Sequence, residues 1–79
     1  EIAPKGTILF IKNKDVPGVV GKVGTILGEC GVNISVYLLS RKKDGFALGA
    51  IRIDNEVSSE AFGALKELEE VIFLQHIHY

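Results

Sequence analysis

One stretch of this sequence, FIKNKDVPGVVGKVGTILGECGVNIS, residues 10–35, sets side chains that could bind a small polar molecule around a turn and a helix start. Asn13 can donate and accept through its amide, and Asp15 can accept from an ammonium group. The turn Asp15–Val16–Pro17–Gly18 comes directly before an apolar repeat of helical spacing, so it sets a helix N-terminus beside the end of a strand. Such a terminus gathers unsatisfied backbone N–H groups and the positive end of the helix dipole, which suits a carboxylate. Gly18 leaves room for a ligand to approach the backbone. A zwitterionic amino acid needs that set: N–H groups for its carboxylate and an oxygen for its ammonium. Ordinary turn chemistry accounts for the same residues, because Asn and Asp favour turns and helix caps.

Other reactive residues offer less. His76 and His78 lie two apart on an expected strand and share a face, yet no third metal ligand stands nearby in sequence. Cys30, the one cysteine, falls on the apolar side of the expected helix and has no partner for a disulfide. Ser35, Ser40, Ser58 and Ser59 occupy strand or cap positions without a paired base. No catalytic residue and no metal site is therefore assigned.

The elements that hold the candidate residues follow from periodicity. Thr7–Lys12 reads as a strand from its β-branched and aromatic content. Val19, Val20, Val23, Ile26, Leu27 and Cys30 repeat at helical spacing and define a helix over residues 17–30, with Pro17 in its first turn and Gly31 just past its end. Val32–Arg41 and Phe46–Ile53 read as strands joined by a tight turn at Lys43–Asp44–Gly45. Ser58 or Ser59 caps a second helix with Ala61, Ala64, Leu65 and Leu68 on its inner face, and Val71–Tyr79 closes as a fourth strand. The order βαββαβ is that of the ferredoxin-like split unit, an α+β fold with a four-stranded antiparallel sheet and two helices on one face.

Two features of this layout call for a partner. Gly21, Gly24 and Gly28 form one stripe beside the apolar face of the first helix. Three interior glycines in place of alanines cost about 3 kcal/mol in helix propensity. Close approach of another backbone would compensate, whether from the second helix, a partner chain or a ligand. Two helices also cover only one face of a four-stranded sheet, and the strands are too apolar throughout for the other face to alternate cleanly to polar residues. That face, or the edge strand beside it, is expected to be covered by a protein contact.

The bulk composition excludes several classes. The chain has 79 residues, enough for one small domain, and 47% of them are hydrophobic. Nine basic and ten acidic residues give a net charge of −1, which offers no footprint for a phosphate backbone. No stretch has the length of a membrane span. The chain lacks methionine, so it reads as a piece of a longer protein, with residues 1–5 (EIAPK) as the end of a linker.

The segment DVPGVVGKVGTILGECGVNIS resembles the signature of ACT domains, regulatory modules that bind small molecules. It is most similar to the C-terminal regulatory domains of D-3-phosphoglycerate dehydrogenases, with the tail of iron–sulfur L-serine dehydratases as a second choice. The resemblance covers residues 6–79 and includes the Asp44–Gly45 turn. It implies a cytoplasmic, NAD-dependent parent enzyme of serine biosynthesis and an effector that is L-serine or a related small amino acid. It also implies that two domains join edge to edge through strand 2, residues 32–41, with the effector at the seam. The positions carried over are Asn13, Asp15 with the Val16–Pro17–Gly18 turn, and Asn33 of the neighbouring copy. Well-studied serine-inhibited members have His and Asn at the first two, where this chain has Asn13 and Asp15; Asn33 is retained.

RNA-recognition modules share the βαββαβ order. Leu9–Asn13 and Asp44–Ile51 approach their two motifs, with Phe10 and Phe46 in place. Asp44 stands where a basic residue is needed, and Leu48 and Ile51 stand where aromatics are needed, so no stacking platform is expected.

Overall fold

In a computed structural model, which describes residues 6–78, the six elements occur in the expected order: β1 (Thr7–Lys14), α1 (Val19–Glu29), β2 (Ile34–Arg41), β3 (Phe46–Ile53), α2 (Ser59–Lys66) and β4 (Val71–His78). The linker assigned to residues 1–5 and the final residue of the last strand, Tyr79, lie outside the described residues. The sheet runs β2-β3-β1-β4 with every neighbouring pair antiparallel, and both helices lie on one face.

Several boundaries differ from the periodicity reading, each for a local reason. β1 continues to Lys14, two residues past its apolar run. It is paired on both sides there, Asn13 with Ala47 and Val71 and Lys14 with Phe46, and the Lys14 N–H donates to the Glu70 carbonyl at 2.8 Å. Pairing from two neighbours overrides the poor strand propensity of Asn and Lys. α1 starts at Val19 rather than residue 17, because Gly18 adopts φ 93° and cannot sit inside a right-handed helix. Pro17 therefore belongs to the preceding turn. β2 begins at Ile34, after Val32 and Asn33, and bulges between Ile34 and Val36.

The helix ends follow their sequences. α1 closes with Gly31 at φ 77°, the Gly31 N–H on the Gly28 carbonyl and the Val32 N–H on the Leu27 carbonyl, the paired bonds of a Schellman cap. Of the two candidate caps, Ser58 is the one that caps α2, its hydroxyl accepting from the Ala61 N–H at 3.1 Å. The β2–β3 turn has Gly45 at φ 89° and the Asp44 carboxylate accepting from the Phe46 N–H.

Leu9, Ile11, Ile51 and Ile53 from the sheet pack against Val19, Val23 and Leu27 of α1 and Leu65 of α2. Burying such side chains contributes about 1.5–3 kcal/mol each. Gly49 sits in the middle of this layer because nothing larger fits. A Cβ there would lie 2.7 Å from Ile11 Cγ2 and 3.3 Å from the Tyr37 ring.

Candidate functional site

Three contacts assemble the end of the sheet where β1 stops. The Lys14 N–H is held by Glu70, as above, which fixes the exit direction of the chain. The Asp15 N–H then donates to the Gly45 carbonyl at 2.9 Å, tying the loop to the β2–β3 turn. Finally, Arg41 at the end of β2 donates from Nε to both Asp15 carboxylate oxygens, at 2.9 and 3.2 Å. Residues 15–20 on one side, with Leu39 and Arg41 on the other, enclose a cleft of about 250 Å³.

The floor of the cleft is the start of α1. Gly18 supplies no side-chain cap, and the first turn contains no acidic residue. The Lys22 N–H is the first to reach a helical carbonyl, that of Gly18 at 3.0 Å. The N–H groups of Val19, Val20 and Gly21 precede it and have no intrahelical acceptor. Their dipole faces no fixed negative charge from the helix itself, so an anion arriving here is favoured. Val16 and Val20 add exposed apolar surface at the rim.

The residues expected to bind a ligand are only partly brought together. Asp15, Val16, Pro17 and Gly18 all line the cleft. Asn13 lies on β1, on the helix-facing side, and is buried at 3% exposure. Its Nδ2 donates to the Lys14 carbonyl at 2.8 Å, while its Oδ1 is buried without a partner among the described residues. Asn33 is at the opposite end of the sheet. Its carbonyl accepts from the Asp54 N–H and its Nδ2 donates to Asp54 at 2.8 Å. The strand pairing puts Asn13 level with Ala47 and the start of β2 level with Ile53. Six residues of strand separate those levels, about 20 Å.

Arg41 and Leu39 were not singled out from the sequence, although the strand order contained the signal. β1 and β2 both run antiparallel to β3, so they are parallel to each other and their C-terminal ends share one edge of the sheet. Residues 39–41 must therefore face the loop that follows β1.

The glycine stripe does not contact the second helix. Among the described residues no heavy atom, outside α1's own backbone and immediate neighbours, would lie within 4 Å of a Cβ at Gly21, Gly24 or Gly28. Of the three compensations considered, the intramolecular one is thereby removed. The uncovered sheet face carries Phe10, Val36, Leu38, Leu48, Phe73 and Ile77, each more than a third exposed, as the apolar strands led one to expect. Ile51, a position that RNA-recognition modules give to an aromatic, is turned into the core with no exposure. His76 and His78 do share a face, their rings 5.0 Å apart edge-to-face, with His76 also 5.0 Å from Phe62 and His78 Nδ1 3.0 Å from the Thr7 hydroxyl. Among the described residues no group of three or more His, Cys, Asp or Glu could hold a metal ion. No helix among them is long and apolar enough to cross a membrane.

Comparison with known proteins adds the following. The family model described as "ACT domain" matches residues 7–73. D-3-phosphoglycerate dehydrogenase 3 (chloroplastic) of Arabidopsis thaliana is 33% identical over 79 residues, an alignment covering 95% of this chain and 13% of that protein. The D-3-phosphoglycerate dehydrogenase of Mycobacterium leprae is 36% identical over 66 residues, covering 82% and 12% respectively. The chain thus spans about an eighth of the length of these relatives. Among solved structures, the ACT domain from GTP pyrophosphokinase of Chlorobium tepidum superposes with TM-score 0.71 at 17% identity, covering 92% of this chain and 96% of that one. The regulatory subunit of aspartate kinase from Thermus thermophilus superposes with TM-score 0.68 at 23% identity, covering 96% and 50%. These structural likenesses concern the fold.

Proposed function

The chain belongs to the ACT domain family, and from that premise we propose that it is the amino-acid-binding regulatory part of a D-3-phosphoglycerate dehydrogenase. Its effector is L-serine or a related small amino acid. The observation that carries this reading is the cleft between the Asp15–Gly18 turn and the end of β2. It joins uncapped helix N–H groups to a carboxylate, a pairing suited to a zwitterion. The curated relatives support the choice of parent, in which NAD and the catalytic residues belong to the rest of the protein.

Two copies pair antiparallel along β2, which is an edge strand with exposed Val36, Leu38 and Leu39. Pairing removes the unpaired edge and brings those side chains against their counterparts on the neighbouring strand. The same two-fold sets the start of one β2 against the end of the other, so Asn33 of one copy comes to the cleft of its neighbour. The effector bridges the seam and favours one relative orientation of the two domains. It regulates the parent to the extent that it binds one orientation more tightly.

The test is an amide chemical-shift titration of the 79-residue chain with L-serine and other amino acids, alongside sizing. Shifts centred on residues 15–20, a dimer in solution, and binding weakened by about 1–2 kcal/mol in Asn33→Ala are the expected results. No response to any amino acid at millimolar concentration would refute the sensor. Undiminished binding by Asn33→Ala would remove the neighbour's contribution.

A further inference from the structure

Arg41 touches Asp15 through one nitrogen only. Both short contacts come from Nε, and its Nη groups have no partner among the described residues. A guanidinium carries five N–H donors in a planar fork, four of them on the two Nη atoms. Here that fork is anchored at its base, Arg41 is one of the residues lining the cleft, and its side chain is 71% exposed against 22% for Asp15. An ion pair exposed to this degree contributes little to folding. It does settle where the guanidinium stands, which is the condition for binding a planar anion with two parallel hydrogen bonds.

We propose that Arg41 is the carboxylate receptor of the cleft and sets its selectivity for α-amino acids over the corresponding amines and amides. This rests on the amino-acid-binding reading above. The Nη donors take the ligand carboxylate, with the N–H groups at the start of α1 beneath it. Asp15 keeps two tasks, holding Nε and accepting from the ligand ammonium with its remaining lone pairs. The ligand charges then alternate with those of the pair, negative to Arg41 and positive to Asp15. A ligand without its carboxylate leaves the Nη fork unused. The receptor and Asp15 come from the same chain, so this half of the site exists in each protomer before any pairing.

The probes are L-serine and L-serinamide, which differ only in the carboxyl group, titrated into the 79-residue chain by amide chemical shifts or calorimetry. Wild type is expected to bind L-serine at least about tenfold more tightly than L-serinamide, the effect of one charge-assisted contact. In Arg41→Gln the two affinities are expected to converge, through loss of L-serine binding, with L-serinamide unchanged. Lys43→Gln, which removes a nearby cation outside the cleft, should leave the wild-type ratio. An Arg41→Gln variant that keeps the wild-type ratio would overturn the proposal and leave the sensor reading standing, as would a wild type that does not discriminate. A wild type that binds neither probe would overturn the proposal, and the sensor reading falls with it if no other amino acid binds.

Discussion

One residue type, replaced in two places, tests how the packing is understood. Gly49→Ala adds a methyl 2.7 Å from Ile11 Cγ2 and 3.3 Å from the Tyr37 ring, whereas at Gly21 no described residue beyond the helix's own backbone and neighbours comes within 4 Å of the added carbon. Ordinary carbon contacts lie near 3.5–4.0 Å. At position 49 the neighbours must move, and Ile11 is a core side chain with 2% exposure. Overpacking of this kind costs about 1–3 kcal/mol. Replacing a glycine recovers roughly 0.5–1 kcal/mol through the unfolded chain. The net expectation is a loss of about 1–2 kcal/mol for Gly49→Ala and a gain of about 1 kcal/mol for Gly21→Ala in an exposed helix position. Urea denaturation at low protein concentration reads both as opposite shifts of the midpoint with unchanged slope. A neutral Gly49→Ala would mean that β1 and β2 yield freely at this point. A destabilised Gly21→Ala in the dilute chain would mean that something in the chain packs on the glycine stripe, contrary to the structure. If the stripe serves a partner surface, Gly21→Ala should gain stability alone yet pair more weakly, which sizing detects.

Ser58→Ala removes the cap on the Ala61 N–H and should lose about 1 kcal/mol, seen as a melting temperature lower by several degrees. Tyr37→Phe removes a buried hydroxyl that has no partner among the described residues and whose pKa is raised by burial. It is expected to be neutral or stabilising by up to about 1 kcal/mol, and a clear loss in thermal melting would reveal a missed partner. Lys22 Nζ lies 2.6 Å from Glu70, and this hydrogen bond, with Glu70's own backbone, holds that carboxyl below the usual range. The contribution is present above the ordinary carboxylate pKa and fades as pH falls through the lowered one. Lys22→Gln should accordingly flatten the acid limb of a stability-versus-pH curve, and an unchanged limb would contradict the shift.

The fold was legible because its signals were local and agreed with one another. Gly31 and Gly45 marked a helix end and a hairpin turn, and both adopt the positive φ that those roles need. Ser58 stood where a cap was required. The apolar strands announced a sheet with no clean polar face, and Phe10, Leu38 and Phe73 lie exposed on it. What could not be read was the outcome of competition between neighbours. Asn13 has a turn-former's chemistry, yet pairing with Ala47 on one side and Val71 on the other draws it into β1 and buries it. The start of α1 hung on a single dihedral, that of Gly18, which no periodicity encodes. Arg41 is a different case. The strand order alone brings it to Asp15, but it sits at the end of a strand, outside the turn where polar chemistry was sought.

The distance between the two halves of the candidate site restricts how it can be completed. Asp15 and the start of α1 are at one end of the sheet, and Asn33 is about six residues of strand away, some 20 Å. No rotamer of Asn33 spans that gap. A site using both must therefore draw Asn33 from another molecule. β2 is the edge strand that begins one residue after Asn33 and ends at Arg41. Parallel pairing of two such edges would set like ends together and leave Asn33 as far from the cleft as before. Antiparallel pairing exchanges the ends, and its two-fold symmetry makes two equivalent sites at once. In the single chain the Asn33 amide is occupied by Asp54 at 2.8 Å, a contact between exposed groups that can be traded for one to a ligand at little cost. Completion by a second copy thus requires no refolding of the chain, only an exchange of surface hydrogen bonds and the closing of an open strand edge.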